Sequence, residues 1–373
     1  MFRFREVFLR ALINSQRVRE LDGLRGIAIL LVLIWHYVIV PADTVPGSKL
    51  AYLFALGRLT WSGVDLFFVL SGFLIGGILL DAKDSTNYFS VFYRRRFFRI
   101  LPLYAVVLVI VWATHGNAWL KADLLPWWSY VTLTQNFVMA VRNTLGGNAL
   151  AITWSLAIEE QFYLTLPLVI RFTSRKTLKR IVLAFIILAP VIRLVVFLRL
   201  GPTAAQVLMP CRADALLIGV GIAALKGENY PIPYWGPLIV SAVILAVCIF
   251  KSWGIGSFEM SVWGYSIVAV FYGSLLCAVL DRRPRVLRWG WLCGLGITAY
   301  AIYLFHQTLQ GLLYWQLFAI NPILRVRTVT AALTAICLTL LLARISWKYL
   351  ERPLISTGHR SRYSSENNSL EST

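Results

Sequence analysis

Apolar runs long enough to cross a lipid bilayer dominate the sequence, and this feature restricts the chain to a membrane fold. A membrane-spanning helix needs about 20 mostly apolar residues, and about ten such runs follow one another with short loops between them. Of the 373 residues, 58% are hydrophobic and only 14% are charged, which is too few charges for a water-soluble surface. The sequence predicts an all-α integral membrane protein.

The charge of the loops predicts how the spans are oriented, because Lys and Arg accumulate on the cytoplasmic side of a membrane. With about ten spans and a cytoplasmic start, the strongly basic loops all fall inside. We therefore predict a cytoplasmic segment at 1–24, a transmembrane domain at 25–356, a disordered tail at 357–373, and both termini in the cytoplasm. The predicted spans are 25–40, 61–80, 97–113, 150–170, 181–200, 207–225, 235–250, 261–280, 295–318 and 329–349.

The apolar segment 124–140 does not fit this scheme as a further span. It carries Trp127, Trp128 and Tyr130, and aromatic residues favour the membrane–water interface. A crossing here would reverse the orientation of every later loop and break the charge alternation. We expect this segment to lie on the outer face or to dip into it.

The overall charge and the cysteines exclude two classes of function. A net charge of +19 would suit a nucleic-acid-binding protein only if the basic residues clustered on a soluble fold, whereas here they lie between apolar runs. The five cysteines are scattered singly, without the paired spacing of a zinc or redox site. We expect membrane lipids as surroundings, no nucleic-acid partner, no metal and no tightly bound cofactor.

Four ionisable residues inside the predicted spans are candidate functional residues: His36, Asp65, Glu160 and His306. A charged side chain in hydrocarbon costs at least about 2.5 kcal/mol, so it is a functional-site hypothesis by default. Helical rise puts His36, Glu160 and His306 roughly 13 to 17 Å deep, near the midplane, and Asp65 about 6 Å below the outer surface. The structural alternative is that these groups pair with one another and hold helices together.

His36 is the predicted catalytic centre. A neutral imidazole can take a proton from a hydroxyl near neutral pH, and a carboxylate on its other nitrogen stabilises the cation. His36 would therefore act as a general base, with Glu160 or Asp65 orienting it. Asp65 could instead meet an incoming acceptor. Ser71 is a weaker candidate nucleophile, supported only by its residue type.

Arginine residues at the predicted cytoplasmic boundary suggest a phosphate site. Arg96 and Arg99 are three residues apart and share a helix face, and Arg25 lies at the inner end of the span that bears His36. Guanidinium groups bind phosphate oxygens in bidentate fashion. Coenzyme A is the predicted anchor of the donor, with a lipid phosphate as the alternative, and ordinary positive-inside charge explains the same run without any ligand.

Five motifs occur in order along the chain: Arg-Glu-Leu-Asp-Gly-Leu-Arg-Gly at 19–26 ahead of His36, Gly-Val-Asp-Leu-Phe-Phe-Val-Leu-Ser-Gly-Phe-Leu-Ile at 63–75, Arg-Phe-Phe-Arg at 96–99, Trp-Ser-Leu-Ala-Ile-Glu-Glu-Gln-Phe-Tyr at 154–163 and Tyr-Ala-Ile-Tyr-Leu-Phe-His at 300–306. In this order and spacing they resemble the membrane-bound acyltransferase 3 family, whose members acylate cell-surface and exported carbohydrates. The likeness covers nearly the whole chain, from Arg19 to Pro353.

The resemblance implies roles for particular residues. Arg25 and His36, an Arg followed by ten residues and a His, would form the family's signature pair. His36 would be the essential catalytic residue, either as a general base or as the carrier of the acyl group. Arg96 and Arg99, the Arg-x-x-Arg motif, would serve the acyl-CoA side, and Glu160 would belong to the active site by analogy.

Three further residues are expected to contact substrate: His306, Arg212 and Asp214. The last two look like another family pattern, and the alternative for them is a local ion pair with each other, of small energetic value. Some family members carry an additional soluble hydrolase-like domain, and we expect none in this chain. A separate outer-face transferase, if the reaction requires one, would be another protein.

These observations together predict a membrane-bound O-acyltransferase. It would move an acyl group, expected to be acetyl, from cytoplasmic acyl-CoA to a hydroxyl of a cell-surface or exported carbohydrate, in a bacterial cytoplasmic membrane. The competing class is a transporter or flippase for a glycan or a lipid-linked sugar, because charges near the midplane also mark transport pathways.

Overall fold

The computed structural model describes residues 18–41, 54–55, 57–113, 124–147, 149–228, 230–313 and 325–364, with side chains from Thr330 onward in the last range. Regular structure within these ranges is helical, with no strand, which confirms the all-α prediction. Residues 1–17 of the predicted N-terminal segment and 365–373 of the predicted tail lie outside the described residues.

Helices of very different lengths follow one another along the chain. Two 3₁₀ segments are Gly57–Ser62 and Arg285–Arg288, and three π-helical segments are Trp35–Ile39, Met260–Gly264 and Trp347–Glu351. The α-helices are α1 (Arg19–Ile34), α2 (Gly63–Asp81), α3 (Tyr88–Ala113), α4 (Trp127–Val131), α5 (Gln135–Arg142), α6 (Thr153–Phe172), α7 (Arg175–Leu200), α8 (Pro202–Val207), α9 (Met209–Gly227), α10 (Trp235–Phe250), α11 (Tyr265–Arg282), α12 (Gly290–Ile297), α13 (Ala299–Gly311), α14 (Arg325–Ser346) and α15 (Arg352–His359).

Seven helical stretches in the described residues are long and apolar enough to cross a membrane, and α12 with α13 could form an eighth span. The chain is therefore a multi-pass membrane protein. The number ten stays a prediction, because α10 has only 16 residues and α6 is not among the seven. The seven stretches are Arg19–Ile39, Gly57–Asp81, Tyr88–Ala113, Arg175–Leu200, Pro202–Gly227, Met260–Arg282 and Thr330–His359.

Several helices differ from the predicted spans at their ends. Helix α3 begins nine residues before the predicted start at 97, and α7 begins at Arg175, where the Ser174 hydroxyl accepts a hydrogen bond from the Thr177 amide at 3.1 Å. Apolar patterning detects only the hydrocarbon part of a helix, so polar first turns are missed. The predicted span 295–318 is interrupted, since α12 ends at Ile297 and α13 begins at Ala299.

The segment 124–140 forms two short helices, α4 and α5, of five and eight residues. A bilayer crossing needs about 20 helical residues, so neither is long enough. Leu133, between them, has a φ of 56°, in the left-handed region. The expectation that this segment is not a full span agrees with these lengths, and its position on the outer face stays a prediction.

The chain divides into two compact units. The first comprises Met1–Leu80, Met139–Thr144 and Ile158–Ile297, and the second comprises Asp81–Val138, Leu145–Ala157 and Thr298–Thr373. The first unit contains His36, Asp65, Glu160 and Arg212, whereas the second contains His306, Arg96 and Arg99.

Glycine allows direct backbone contact between α2 and α9 in the first unit. A Cβ added to Gly72 would lie 1.8 Å from the carbonyl oxygen of Leu216, and one added to Gly219 would lie 2.2 Å from the carbonyl oxygen of Val69. Small residues at such crossings let membrane helices approach closely. The two backbones are therefore in contact over two helical turns.

The same contacts show that α2 and α9 run parallel, because Gly72 opposes Leu216 while Gly76, one turn later, opposes Val220. The two backbones therefore run in the same direction where they touch.

Helix α1 is held in a similar way within the first unit. A Cβ on Gly26 would lie 2.2 Å from the carbonyl oxygen of Leu292, and one on Gly296 would lie 1.8 Å from that of Asp22. An ion pair between Glu20 Oε1 and Arg288 Nη2 at 2.5 Å joins the start of α1 to the Arg285–Arg288 segment. These contacts fix the helix that leads to His36.

We expect Gly72→Ala to destabilise the protein, because the new methyl group would overlap the Leu216 carbonyl oxygen and overpacking typically costs roughly 1 to 3 kcal/mol. Gly236→Ala is the matched control, since a Cβ at Gly236 meets nothing within 4 Å. Thermal unfolding of the two purified variants in detergent tests this. Equal melting temperatures would contradict the contact.

Candidate active site

His36 lies in the π-helical segment Trp35–Ile39, which continues α1 beyond Ile34. π-helical turns inside helices are rare and often occur at functional sites. The Nδ1 atom of His36 lies 2.9 Å from the carbonyl oxygen of Val32. A carbonyl only accepts hydrogen bonds, so Nδ1 carries the proton and Nε2 carries the lone pair of the neutral ring. The half-buried His36 therefore has the tautomer that a general base at Nε2 requires.

A polar cluster joins α2 to α6 in the first unit. The Ser71 hydroxyl donates to Glu159 Oε1 at 2.7 Å and lies 3.0 Å from the Tyr163 hydroxyl. Glu159 and Tyr163 are four residues apart and so share one helix face. The sequence prediction chose the neighbouring Glu160, which is partly buried one position further along α6.

Glu159 and Tyr163 were therefore missed by the sequence prediction, although a signal existed. Their i, i+4 spacing inside a predicted span places a carboxylate and a phenol side by side. Which side chain across the bundle they meet depends on the packing of α2, which the sequence does not show.

Asp65 forms a buried ion pair with Arg212, whose Nη2 lies 2.5 Å from Asp65 Oδ1. Both residues are at most 2% exposed. The Arg212 guanidinium carbon also lies 3.8 Å from the centre of the Tyr265 ring, which is a close cation–π contact. The first turns of three helices, α2, α9 and α11, thus meet at one buried charge pair.

A second buried ion pair lies beside the first. Arg193 Nη1 donates to Asp214 Oδ2 at 2.9 Å, and Ser266 links the two by accepting from Arg193 Nη2 at 2.5 Å and donating to Asp214 at 2.7 Å. The same guanidinium also donates to the carbonyl oxygens of Val262 and Cys211, at 3.1 and 2.7 Å. Every nitrogen of Arg193 is hydrogen-bonded, so this pair acts as a structural tie between α7 and its neighbours.

The sequence alternative of a local Arg212–Asp214 ion pair is wrong, because each residue pairs with a different helix. Two residues apart on a helix, their side chains point about 200° apart and do not face each other. Arg193 was the missed partner. An Arg inside the apolar run of α7 was itself a signal of a buried charge.

His306 lies in the second unit and is fully buried on α13. Its Nδ1 donates to the Tyr303 carbonyl oxygen at 2.7 Å, so it has the same tautomer as His36. The Tyr303 hydroxyl lies 2.6 Å from the Ser155 hydroxyl and donates to the Ile152 carbonyl oxygen at 3.0 Å. α13 is therefore tied to the first turn of α6, and the shared depth of His36, Glu160 and His306 stays a prediction.

The Arg-x-x-Arg motif lies on α3 in the second unit, next to the segment that follows α15. Its neighbour Arg95 donates from Nε and Nη2 to the Ser361 carbonyl oxygen at 3.2 and 2.7 Å, and it stands 5.0 Å from the ring centre of Tyr363. Burial raises the pKa of Tyr363, so the ring faces Arg95 as a neutral phenol. Arg95 is thus engaged structurally, whereas the ligand roles of Arg96 and Arg99 stay predictions.

Long apolar helices that carry buried ionisable side chains define the class of this protein as a polytopic membrane protein. The acyltransferase domain family, family 3, matches residues 18–345. The chain belongs to this family, which confirms the resemblance inferred from its motifs.

Relatives in the family have names that refer to O-acetyl transfer. The chain is 25% identical to the peptidoglycan O-acetyltransferase OatA of Listeria monocytogenes, over 92% of this chain and 57% of the relative. It is also 25% identical to the O-acetyltransferase OatA of Staphylococcus aureus strain NCTC 8325, over 94% and 59%. The chain thus spans less than three fifths of the length of these relatives. No solved structure matches it.

We expect Arg193→Met to lower the free energy of unfolding by roughly 3 to 5 kcal/mol, because it leaves Asp214 charged and buried without its partner. The control is Lys179→Met, which removes the ion pair with Glu228, where both side chains are about 35% exposed and where the loss should be at most about 1 kcal/mol. Denaturant unfolding of both variants measures the difference. Similar losses would show that the Arg193 pair is not a structural tie.

Proposed function

We propose that this chain is a membrane-bound O-acyltransferase that transfers an acetyl group from acyl-CoA to a hydroxyl of a cell-surface carbohydrate. Membership of the acyltransferase family and the names of the relatives support the reaction class. The observation that carries the mechanism is the hydrogen bond from His36 Nδ1 to Val32, which leaves Nε2 as the basic nitrogen.

The chemistry of the transfer follows from that tautomer. Nε2 of His36 takes the proton of the acceptor hydroxyl while the hydroxyl oxygen bonds to the acyl carbon. The thioester C–S bond then breaks, and the departing thiolate receives the proton from the imidazolium. In the alternative order Nε2 attacks the thioester carbon first, the C–S bond breaks and the coenzyme A thiolate leaves, so that the ring carries the acyl group as an acyl-imidazolium. The acceptor hydroxyl then attacks the acyl carbon, the N–acyl bond breaks, and the hydroxyl proton passes to the freed Nε2 and from there to the thiolate or to solvent. The Val32 carbonyl stabilises the imidazolium in both schemes.

The donor is proposed to enter from the cytoplasm, with Arg25, Arg96 and Arg99 as the residues for its phosphates. The support is their charge and spacing and their place in the family motifs. Guanidinium groups are suited to phosphate because their fork of donors matches two oxygens at once. Glu160 is proposed to belong to the active site by the same analogy.

The acceptor is proposed to be a glycan on the outer side of a bacterial cytoplasmic membrane, with peptidoglycan as the first acceptor to test because the Listeria monocytogenes relative is named for it. A sugar hydroxyl is a weak acid, so a positioned base is needed at neutral pH. A separate outer-face transferase would be required if the acetyl group is handed on.

We expect His36→Ala to abolish acetylation of the envelope glycan, because the variant lacks the imidazole Nε2 that is proposed to take the proton of the acceptor hydroxyl. Mass spectrometry of glycans from a deletion strain complemented with wild type, His36→Ala or His359→Ala measures this. His359 is exposed, and its variant should behave as wild type. Unchanged acetylation in a normally inserted His36→Ala protein would refute the catalytic role and would favour a transporter.

We expect Arg96→Gln to raise the KM for acetyl-CoA about tenfold or more, since a charge-assisted bond to phosphate contributes roughly 1.5 to 3 kcal/mol. Added salt should raise the wild-type KM in the same direction by screening. Arg94→Gln, which also removes one charge from the run, is the control and should change the KM little. Equal effects of the two variants would mean that charge density alone matters.

A further inference from the structure

The two buried arginines in the first unit differ in how far their hydrogen bonds are satisfied. Arg193 uses all three nitrogens, whereas Arg212 uses only Nη2, toward Asp65. Among the residues that the structure describes, Arg212 Nε and Nη1 and Asp65 Oδ2 have no hydrogen-bond partner, although all three atoms are buried. Buried charged groups are normally fully bonded, because each unmet bond costs free energy. This pair therefore has hydrogen-bonding capacity that another molecule can use.

The charges around the pair determine what that molecule can be. The cluster holds two positive and two negative charges. Arg193 pairs with Asp214, and Arg212 pairs with Asp65, so its net charge is zero. An added anion or cation would be buried without a counter-charge. A neutral hydroxyl group fits this arrangement. Its oxygen can accept a hydrogen bond from Arg212 Nη1 or Nε, and its O–H can donate a hydrogen bond to Asp65 Oδ2.

The surroundings of the pair are aromatic. The Tyr265 ring lies against the Arg212 guanidinium, and Trp61 meets Tyr265 edge to face with ring centres 5.5 Å apart. A few polar groups set in an aromatic wall are typical of small-molecule sites. Trp61 belongs to the Gly57–Ser62 segment and is only 6% exposed, so this segment packs against the aromatic side of the pair.

The pair also lies next to the His36 segment along the first unit. A Cβ on Gly63 would lie 2.5 Å from the Ala28 carbonyl oxygen and 3.2 Å from Val32, so the start of α2 packs on α1 there. His36 is one turn beyond Val32, and Asp65 is two residues beyond Gly63. Gly57, at the other end of the segment that carries Trp61, packs on Ile39. Two contacts, at Gly63 and at Gly57, thus link the charge pair and the Trp61 segment to the helix that carries His36.

We propose that Arg212 and Asp65 form a subsite that binds a hydroxyl of the carbohydrate acceptor. The proposal rests on the acyltransferase function proposed above. It gives Asp65, a candidate catalytic residue in the sequence, the role of holding the acceptor, and it makes Arg212 a specificity residue. Water has the same donor and acceptor capacity, so the experiments must separate a sugar hydroxyl from a bound water.

The first test is Arg212→Lys, which keeps the charge opposite Asp65 but removes the additional guanidinium donors. We expect the KM for a soluble peptidoglycan glycan fragment to rise tenfold or more, with the KM for acetyl-CoA and the melting temperature close to wild type. The matched variant is Arg193→Lys, which should lower the melting temperature without a selective change in acceptor KM. Arg199→Lys, at an exposed position of α7, should change neither.

Three outcomes would overturn the subsite. Arg212→Lys could lower the melting temperature and leave the acceptor KM unchanged, which would limit the pair to its structural role. It could change only the hydrolysis of acetyl-CoA without acceptor, which would assign the position to water. It could also raise both KM values equally. A wild-type protein that transfers no acetyl group to any glycan would refute the proposed function itself.

A second test needs neither a variant nor turnover. A cryo-EM map of the wild-type protein with the same glycan fragment should show a sugar hydroxyl between Arg212 Nη1 and Asp65 Oδ2. Fragment density elsewhere with a water at the pair would overturn the subsite and would leave the acyltransferase proposal standing. This test also decides the question if Arg212→Lys fails to fold.

Discussion

The buried ion pair between Asp65 and Arg212 is the interaction on which the first unit depends. Removing two charges from water costs a large desolvation free energy unless the charges pair with each other. The first turns of α2 and α9, which carry Asp65 and Arg212, therefore lie together. Glycines at Gly72 and Gly219 then allow the two backbones to touch along the following turns. The charge pair sets the register of the helices, and the glycines set their distance.

The second pair, Arg193 with Asp214, extends this arrangement to α7 and α11. Its bonds to Val262, Cys211 and Ser266 leave no nitrogen of Arg193 unused. Arg193 and Asp214 therefore form a pair that holds helices together. Arg212 and Asp65 differ, because three of their buried polar atoms have no hydrogen-bond partner among the described residues. Burial does not distinguish a structural ion pair from a candidate binding site here, because both pairs are almost fully buried. The number of hydrogen bonds that each arginine makes does distinguish them.

The site combines rigid and adaptable parts. His36 is held by the Val32 carbonyl on a π-helical turn, and the Gly57–Ser62 segment packs on that turn where Gly57 meets Ile39. A ring nitrogen bonded to the backbone keeps its proton when neighbouring side chains move. The charge pair, by contrast, has donors and an acceptor that can still bind another group.

By itself, the sequence determined the membrane class, the all-α fold and the family, because hydrocarbon imposes apolar runs of fixed length and the family motifs occur in order. It also marked His36 and Asp65 as candidate site residues, because a charge inside an apolar run is conspicuous, and their roles stay predictions. The expectation that 124–140 is not a full span agrees with the two short helices found there. Only the tertiary structure decided which charges meet. Arg212 pairs with Asp65 across 147 positions of sequence and Glu159, not Glu160, meets Ser71. Such pairs depend on how each helix is rotated about its axis and on the angle at which two helices pack. A single sequence does not show which helix faces are in contact.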